Sequence, residues 1–273
     1  MQLITSASNE KIKKMALYAS KASARKEDGI FLAEGTKLVT EAPAHLIREI
    51  YVSGSCLASL EAEETSVSVS FRSICGDLPE DAVIRLPDRL FEKISTMKTP
   101  QGMIVVLDKL SYSEEDLTKG GDPLLVVLED VQDPGNVGTV FRTAEAAGVT
   151  GIILSEGCAD PLSPKVVRSA MGALFRVPFI VRKDIPEEVK RLESEGIACF
   201  AARLDGASEY DKCDLASPCA LLIGNEGNGL SEETRSAASD GIFIPMCGKT
   251  ESLNAAVSAS ILMYEASRQR RNR

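Results

Sequence analysis

Three polar segments gather most of the side chains in this sequence that could do chemistry. The first, Asp133-Pro134-Gly135-Asn136-Val137-Gly138, leads into Arg142. The second, LLIGNEGNGLS, carries Asn225 and Glu226, and the third, IPMCGKTESLNAAVSAS, carries Ser252 and Asn254. Each is rich in Gly, Asn, Ser or Glu where a plain connection needs only a turn. Small residues let backbone N–H and C=O groups approach a ligand, and Asn and Ser add neutral donors and acceptors. One such loop is compatible with an ordinary strand-to-helix turn. Three at one end of a sheet point to a binding site.

The remaining composition narrows the chemistry. His45 is the only histidine and tryptophan is absent, so Ser-His-Asp hydrolysis, histidine metal sites and histidine general bases have no material. Seven cysteines, without a CxxC pair, argue against a disulfide framework and a zinc site; no metal is expected, and a reducing cytoplasm is the expected compartment. Asn, Ser, Glu, Arg and backbone groups must do the work. Nucleotide fingerprints fail as well. No G-x-G-x-x-G follows a strand, and Gly248-Lys249-Thr250 lacks the upstream glycine of a P-loop, Phe243 standing in its place.

Strands and helices alternate around these loops. Apolar runs at 123–129, 150–155, 176–181, 197–202, 219–224 and 241–246 read as strands. Helices are predicted over 137–147, 163–174 and 185–196, with a short one from Ser231. A last helix begins near Ser252, where Leu253, Ala256, Val257, Ile261 and Tyr264 form an apolar stripe. The alternation predicts an α/β fold with a mostly parallel sheet and helices on both faces, its ligand outside the carboxyl ends of the strands. Residues 108–122, polar with Gly-Gly, read as a linker between a first domain over 1–107 and a second over 123–273. The first is also α/β: a basic helix over 9–20, a strand at 29–35, a helix near 36–43, and strands at 49–53, 67–71 and 103–107.

Length, 273 residues, suits two domains, and no apolar run approaches the roughly 20 residues that span a bilayer, so no membrane partner is expected. The net charge of −9 argues against phosphate binding by the chain as a whole. Cations nevertheless gather near the N-terminus, among them Lys13, Lys14 and Arg25, and in the tail RQRRNR. A basic face on an acidic body fits an RNA partner; ordinary solvated charge fits equally well. Lys165 and Arg168, in SPKVVRSAMGALF, flank another loop of the second sheet and are also candidates for RNA contact.

Taken together, NVGTVFRTA, IGNEGNGLS and IPMCGKTESLNAAVSASILMYEA resemble, in order and spacing, the three motifs of the SpoU/TrmH family of RNA ribose 2′-O-methyltransferases, within the SPOUT superfamily. ITSASNEKIKKM and GIFLAEGTKLVTEA resemble the N-terminal RNA substrate-binding domain of two-domain rRNA members, which has a ribosomal-protein-like fold. The resemblance implies S-adenosyl-L-methionine (AdoMet) as cofactor, rRNA as partner, a homodimer, and a C-terminal trefoil knot. It further implies that Leu222, Ile223, Gly224, Ile244, Met246 and Leu253 hold the adenosyl part, with Gly227 and Pro245 beside them. Asn225 and Glu226 border the pocket, and Ser252 and Asn254 line its reacting end. Asn136 and Arg142 face the ribose and its phosphate, from the partner subunit; both stand near the start of one helix, toward the sheet's open end. A guanidinium resists deprotonation, so Arg142 is read as a phosphate clamp and stabiliser of developing alkoxide. Its plain alternative is a salt bridge to Glu145. Two rival functions are a base methyltransferase of the same superfamily and a non-catalytic RNA-binding or ribosome-assembly factor.

Overall fold

The computed structural model describes residues 1–205 and 207–273. They form two compact units, Met1–Leu110 with Leu162–Arg168, and Ser111–Pro161 with Ser169–Arg273.

In the first unit the strands are β1 (Gln2–Leu3), β2 (Ile30–Glu34), β3 (Ile47–Ser53), β4 (Val83–Leu86) and β5 (Met103–Asp108), in the order β1-β4-β3-β5-β2. β5 runs antiparallel to both neighbours, and the other pairings are parallel. The helices are α1 (Glu10–Ser20), α2 (Ala22–Asp28), α3 (Thr36–Glu41), α4 (Gly54–Ala62), α5 (Ser66–Asp77) and α6 (Asp88–Ile94). Ile12, Met15 and Tyr18 of α1 are buried with Ile84, Leu86 and Ile104 of the sheet, the spacing of one helix face. One expectation fails here. Val67-Ser68-Val69-Ser70-Phe71 alternates like a strand, but it lies in α5. Thr65 and Ser68 form a capping box at the start of that helix, and Ser68, Phe71 and Ile74 are its buried residues, while Val69 is exposed. A capped helix burying every third residue prevails over a five-residue alternation.

In the second unit, after α7 (Glu114–Leu117), come β6 (Leu124–Leu128), α8 (Pro134–Ala147), β7 (Gly151–Ser155) and β8 (Phe179–Arg182); α9 (Pro164–Ala170) is divided, grouping with the first unit as far as Arg168 and with the second from Ser169. Then follow α10 (Ile185–Ser194), β9 (Ala198–Ala202), β10 (Ser208–Glu209), β11 (Cys219–Ile223), α11 (Glu232–Ala237), β12 (Asp240–Phe243) and α12 (Ala255–Arg271). The seven strands lie in the order β10-β12-β9-β11-β6-β7-β8, and every pairing among the described residues is parallel. Burial on both faces explains why these strands read as continuous apolar runs. Leu125, Val127, Ala220 and Leu222 pack with Ile185, Val189 and Leu192 of α10. Alternate residues such as Val126, Leu128 and Leu221 are equally buried, on the face where α12 meets β11 and α8. The segment 111–122 is packed as well: Leu117 is 2% exposed, and a Cβ on Gly151 would lie 2.4 Å from its Cγ.

The final helix starts later than predicted and turns differently. Its buried residues include Ala255, Ala256, Ala259, Leu262, Met263 and Ala266, whereas Val257 and Tyr264 are about half exposed. Small alanines let α12 approach its neighbours closely, which a count of large apolar residues overlooks. Near its end, Arg270 donates to the carbonyls of Leu215, Asp122, Pro123 and Ser217 at 2.8–3.2 Å.

Candidate active site

The three polar loops meet at the carboxyl ends of β6, β11 and β12. Asp133 is the N-cap of α8: its side chain accepts from the Asn136 N–H at 2.9 Å, and Pro134 follows in the first turn. Asn136 therefore sits inside the first turn, not at the cap. Gly138 faces α9; a Cβ there would lie 2.3 Å from Ser169 Cβ and 2.8 Å from Ala170 N, so its glycine serves helix packing and not a ligand.

The second loop folds onto itself. Asn225 and Gly229 exchange backbone hydrogen bonds at 3.0 and 2.9 Å. Asn225 Oδ1 accepts from the N–H groups of Gly227 and Asn228, and its Nδ2 donates to the Asp130 carbonyl at 2.8 Å. The loop's far end is clasped by Glu129, 8% exposed, which accepts from Ser231 N, Ser231 Oγ and Thr234 Oγ1 at 2.7–2.8 Å.

A directional chain of hydrogen bonds joins all three loops. Asn254 caps α12, its Oδ1 accepting from Ala256 N at 2.9 Å and Val257 N at 3.3 Å. That leaves its Nδ2 to donate to Asn136 Oδ1 at 3.0 Å. Asn136 Nδ2 must then donate onward, and it reaches Glu226 Oε1 at 2.8 Å. Capping thus fixes both amide orientations and requires an acceptor at the end of the chain. Burial raises the Glu226 carboxyl. Hydrogen bonds from the Asn136 side chain and from the backbone N–H groups of Glu226, Gln132 and Asp133 outweigh it and hold the group below the usual carboxylate range.

Beside this chain lies a cavity of about 320 Å³, within the range of small-molecule sites. Ile223, Ile244, Met246, Leu253 and Leu262 give it an apolar wall, while Ser252 and the loop from Gly224 to Gly229 give it a polar rim.

Residues 123–264 match the model of the SpoU rRNA Methylase family. The chain belongs to the SpoU rRNA methylase family. Residues 9–105 match a second model, the MRM3-like substrate binding domain. Over 266 residues the chain is 34% identical to the 23S rRNA (guanosine(2553)-2′-O)-methyltransferase RlmP of Bacillus subtilis, covering 97% of this chain and 98% of that protein. It is 32% identical over 254 residues to the 23S rRNA (uridine(2479)-2′-O)-methyltransferase of Streptomyces viridochromogenes, covering 90% and 85%. The AdoMet-bound rRNA methyltransferase of Sinorhizobium meliloti superposes with a TM-score of 0.82 at 28% identity, covering 98% of this chain and 97% of that one. As a SpoU protein, this is an AdoMet-dependent RNA methyltransferase.

The cavity fits that cofactor: an apolar slot edged by backbone groups suits an adenosyl group, and the Glu226 carboxylate suits a cationic one. Of the residues predicted to hold AdoMet in this SpoU protein, Ile223, Gly224, Asn225, Glu226, Gly227, Ile244, Met246 and Leu253 line the cavity. Leu222 and Pro245 do not. Leu222 alternates with Ile223 along β11, so its side chain lies on the α10 face of the sheet. Asn225 spends its side chain building the loop. Sequence reading missed Ala202, which ends β9, Leu204 just beyond it, and Ser258 on α12. A polar segment following a strand, ARLDG, was the available signal for the first two.

Asn136 and Arg142 part company. Six residues along a helix turn through about 240°, so the two lie on different sides of α8. Asn136 is bonded to Asn254 and Glu226 of its own chain. Arg142 is exposed and has no ion pair among the described residues; Glu145, its proposed plain partner, binds Arg176 instead.

Of the predicted RNA cations, Arg25 needs correction. Arg25 is 6% exposed and donates to the Tyr18 carbonyl at 2.6 Å, so no phosphate can reach it. Lys13 pairs with Glu10 at 2.7 Å and Lys14 with Asp28 at 3.0 Å. Hydrogen bonding to Tyr18 and then to Asp28 raises the Lys14 ammonium above its ordinary value. Lys165 is exposed and Arg168 half-buried, on the segment grouped with the first unit.

Proposed function

We propose that this chain methylates a ribose 2′-hydroxyl of 23S rRNA. The observation that carries the reading is the bonded row Asn254–Asn136–Glu226 beside the AdoMet cavity, with Arg142, which has no ion pair among the described residues, on the helix that supplies Asn136. AdoMet supplies an electrophilic methyl group on a sulfonium. The chain's own residues supply order and charge. Asn136 and Asn254, held by the cap of α12, fix the wall between cofactor and substrate, and Ser252 offers a hydroxyl at that wall. Arg142 clamps the substrate phosphate through its guanidinium and stabilises negative charge developing on the 2′-oxygen.

Three further parts of the reading rest on the family match and on single features. Val257 and Tyr264, exposed on α12 with Ile261 between them, suit a homodimer in which Arg142 reaches the partner's cofactor. The last strand, β12, sits between β10 and β9 instead of at an edge, as expected if the C-terminal segment threads a loop to form a trefoil knot. The first unit, of ribosomal-protein-like fold, carries RNA affinity, and the protein works in the cytoplasm with its rRNA.

Labelled AdoMet incubated with 23S rRNA, followed by digestion to nucleosides, tests the assignment. Label on a ribose 2′-oxygen is expected. Label on a base would establish the rival base methylation, and AdoMet binding without transfer to any rRNA would leave an assembly factor. Mass spectrometry of rRNA fragments from a deletion strain then names the nucleotide.

A further inference from the structure

Asp130 is one of two non-glycine residues with positive φ among the described residues, at 54°. This left-handed conformation is costly for most side chains and least so for Gly, Asn and Asp. An outlier of this kind at a functional edge invites a functional explanation. Its effect is visible two loops away. The turn at Asp130 presents its carbonyl to Asn225 Nδ2 at 2.8 Å, the bond that ties the near end of the cofactor loop to β6. The side chain is locked in turn. Ser155, 7% exposed, accepts from Asp130 N at 2.9 Å and donates to Oδ1 at 2.6 Å. Gly157 closes the other side: a Cβ there would stand 2.0 Å from Asp130 Oδ1.

We propose that Asp130 is a positioning residue for AdoMet, its left-handed backbone setting the cofactor loop through Asn225. Asn225 in turn organises Gly227 and Asn228, and the next residue, Glu226, ends the bonded row from α12. Asp130 does not line the cavity. It acts by conformation, so substitution at this position sorts residues by their tolerance of positive φ and not by charge or size. The proposal rests on the assignment of the cavity to AdoMet.

The test uses the full chain with Asp130→Asn, Asp130→Gly, Asp130→Ala and Gly157→Ala, measuring AdoMet dissociation by calorimetry and single-substrate kinetics on 23S rRNA transcripts. Asn and Gly variants should bind AdoMet within about threefold of wild type. The Ala variant should bind about 5- to 100-fold more weakly, the range equivalent to backbone strain of this kind. Its KM for AdoMet should rise by the same factor while kcat at saturating AdoMet stays within about threefold, a split that simple loss of folded protein does not give. Gly157→Ala, which leaves Asp130 in place but crowds its carboxylate, should move in the same direction and covers the case in which Asp130→Ala does not fold. Ala and Asn variants of equal affinity, or wild-type affinity in both Asp130→Ala and Gly157→Ala, overturns the proposal. Failure of the wild type to bind AdoMet would instead overturn the cavity assignment.

Discussion

Removing the Glu129 carboxylate should cost stability and cofactor affinity together. Its carboxylate is 8% exposed and takes three hydrogen bonds, from Ser231 N, Ser231 Oγ and Thr234 Oγ1, at the start of α11. Replacement by Ala strands two donors. Among the described residues the Ser231 N–H has no other acceptor, and the Thr234 side chain, 0% exposed, keeps only the bond it receives from Ser231 Oγ at 2.9 Å. At roughly 1–3 kcal/mol per stranded buried group, the loss is about 2–6 kcal/mol. At roughly 2–4 °C per kcal/mol for a domain of this size, the melting temperature falls by about 4–24 °C. Glu129→Gln keeps one carboxyl-type oxygen and should cost about 1–2 kcal/mol. Because the clasp holds the far end of the cofactor loop, the Ala variant should also lose at least about tenfold in AdoMet affinity, and with it the upward shift in melting that ligand gives wild type. Thermal unfolding followed by circular dichroism, with and without AdoMet, reads both quantities. A Glu129→Ala protein that melts within about 2 °C of wild type would refute the reasoning. So would a Gln variant no better than the Ala variant.

Other expectations concern charge and the shared site. The Glu226 carboxyl is depressed in the folded protein, so its stabilising contribution is complete above the ordinary carboxylate value and is lost as pH falls through the depressed one. The stability difference between wild type and Glu226→Gln should therefore stay constant above about pH 5.5 and shrink on further acidification; a carbon-detected titration placing Glu226 above a free glutamate would contradict this. Arg142→Ala should lose about 10²–10³ in single-turnover rate with AdoMet affinity unchanged, and Arg142→Lys should keep measurable turnover. A Lys variant as inactive as Ala at every pH would show that guanidinium geometry, and not charge, is what matters. Mixing Arg142→Ala with Asn254→Ala subunits should restore activity in the heterodimers, which carry one intact composite site; mixtures no more active than either parent would rule out a site shared between chains.

The second unit was largely legible because its signals are long and redundant. Strands buried on both faces read as continuous apolar runs, and Gly148 and Ser231 mark a helix stop and a helix start. The polar loops announced themselves because Asn, Ser and Glu have no packing reason to follow such strands. What stayed hidden was anything decided by direction. Helical periodicity could place Asn136 and Arg142 on different sides of α8, but not show that Asn136 meets Asn254 and Glu226. Arg25 shows the same limit on the first unit: a cation in a basic stretch looks like surface until the Tyr18 carbonyl is found to hold it. Val67–Phe71 misled for another reason. Its period-2 pattern is real, but the Thr65–Ser68 cap outside the apolar residues decides the outcome. Glu129 carried no signal at all, since one acid at the end of an apolar run reads as the place where the strand simply stops.

Arg270 has a consequence for how the protein is made. It holds the carbonyls of Asp122 and Pro123, immediately before the first strand of the methyltransferase unit, across 148 and 147 residues of sequence. The carbonyls before β6 are therefore made well before the side chain that closes them, and until it emerges they face water. A chain broken off ahead of Arg270 would carry every loop of the active site yet be left with an open seam for proteases to find. Closing that seam is thus a later event than making the loops it protects.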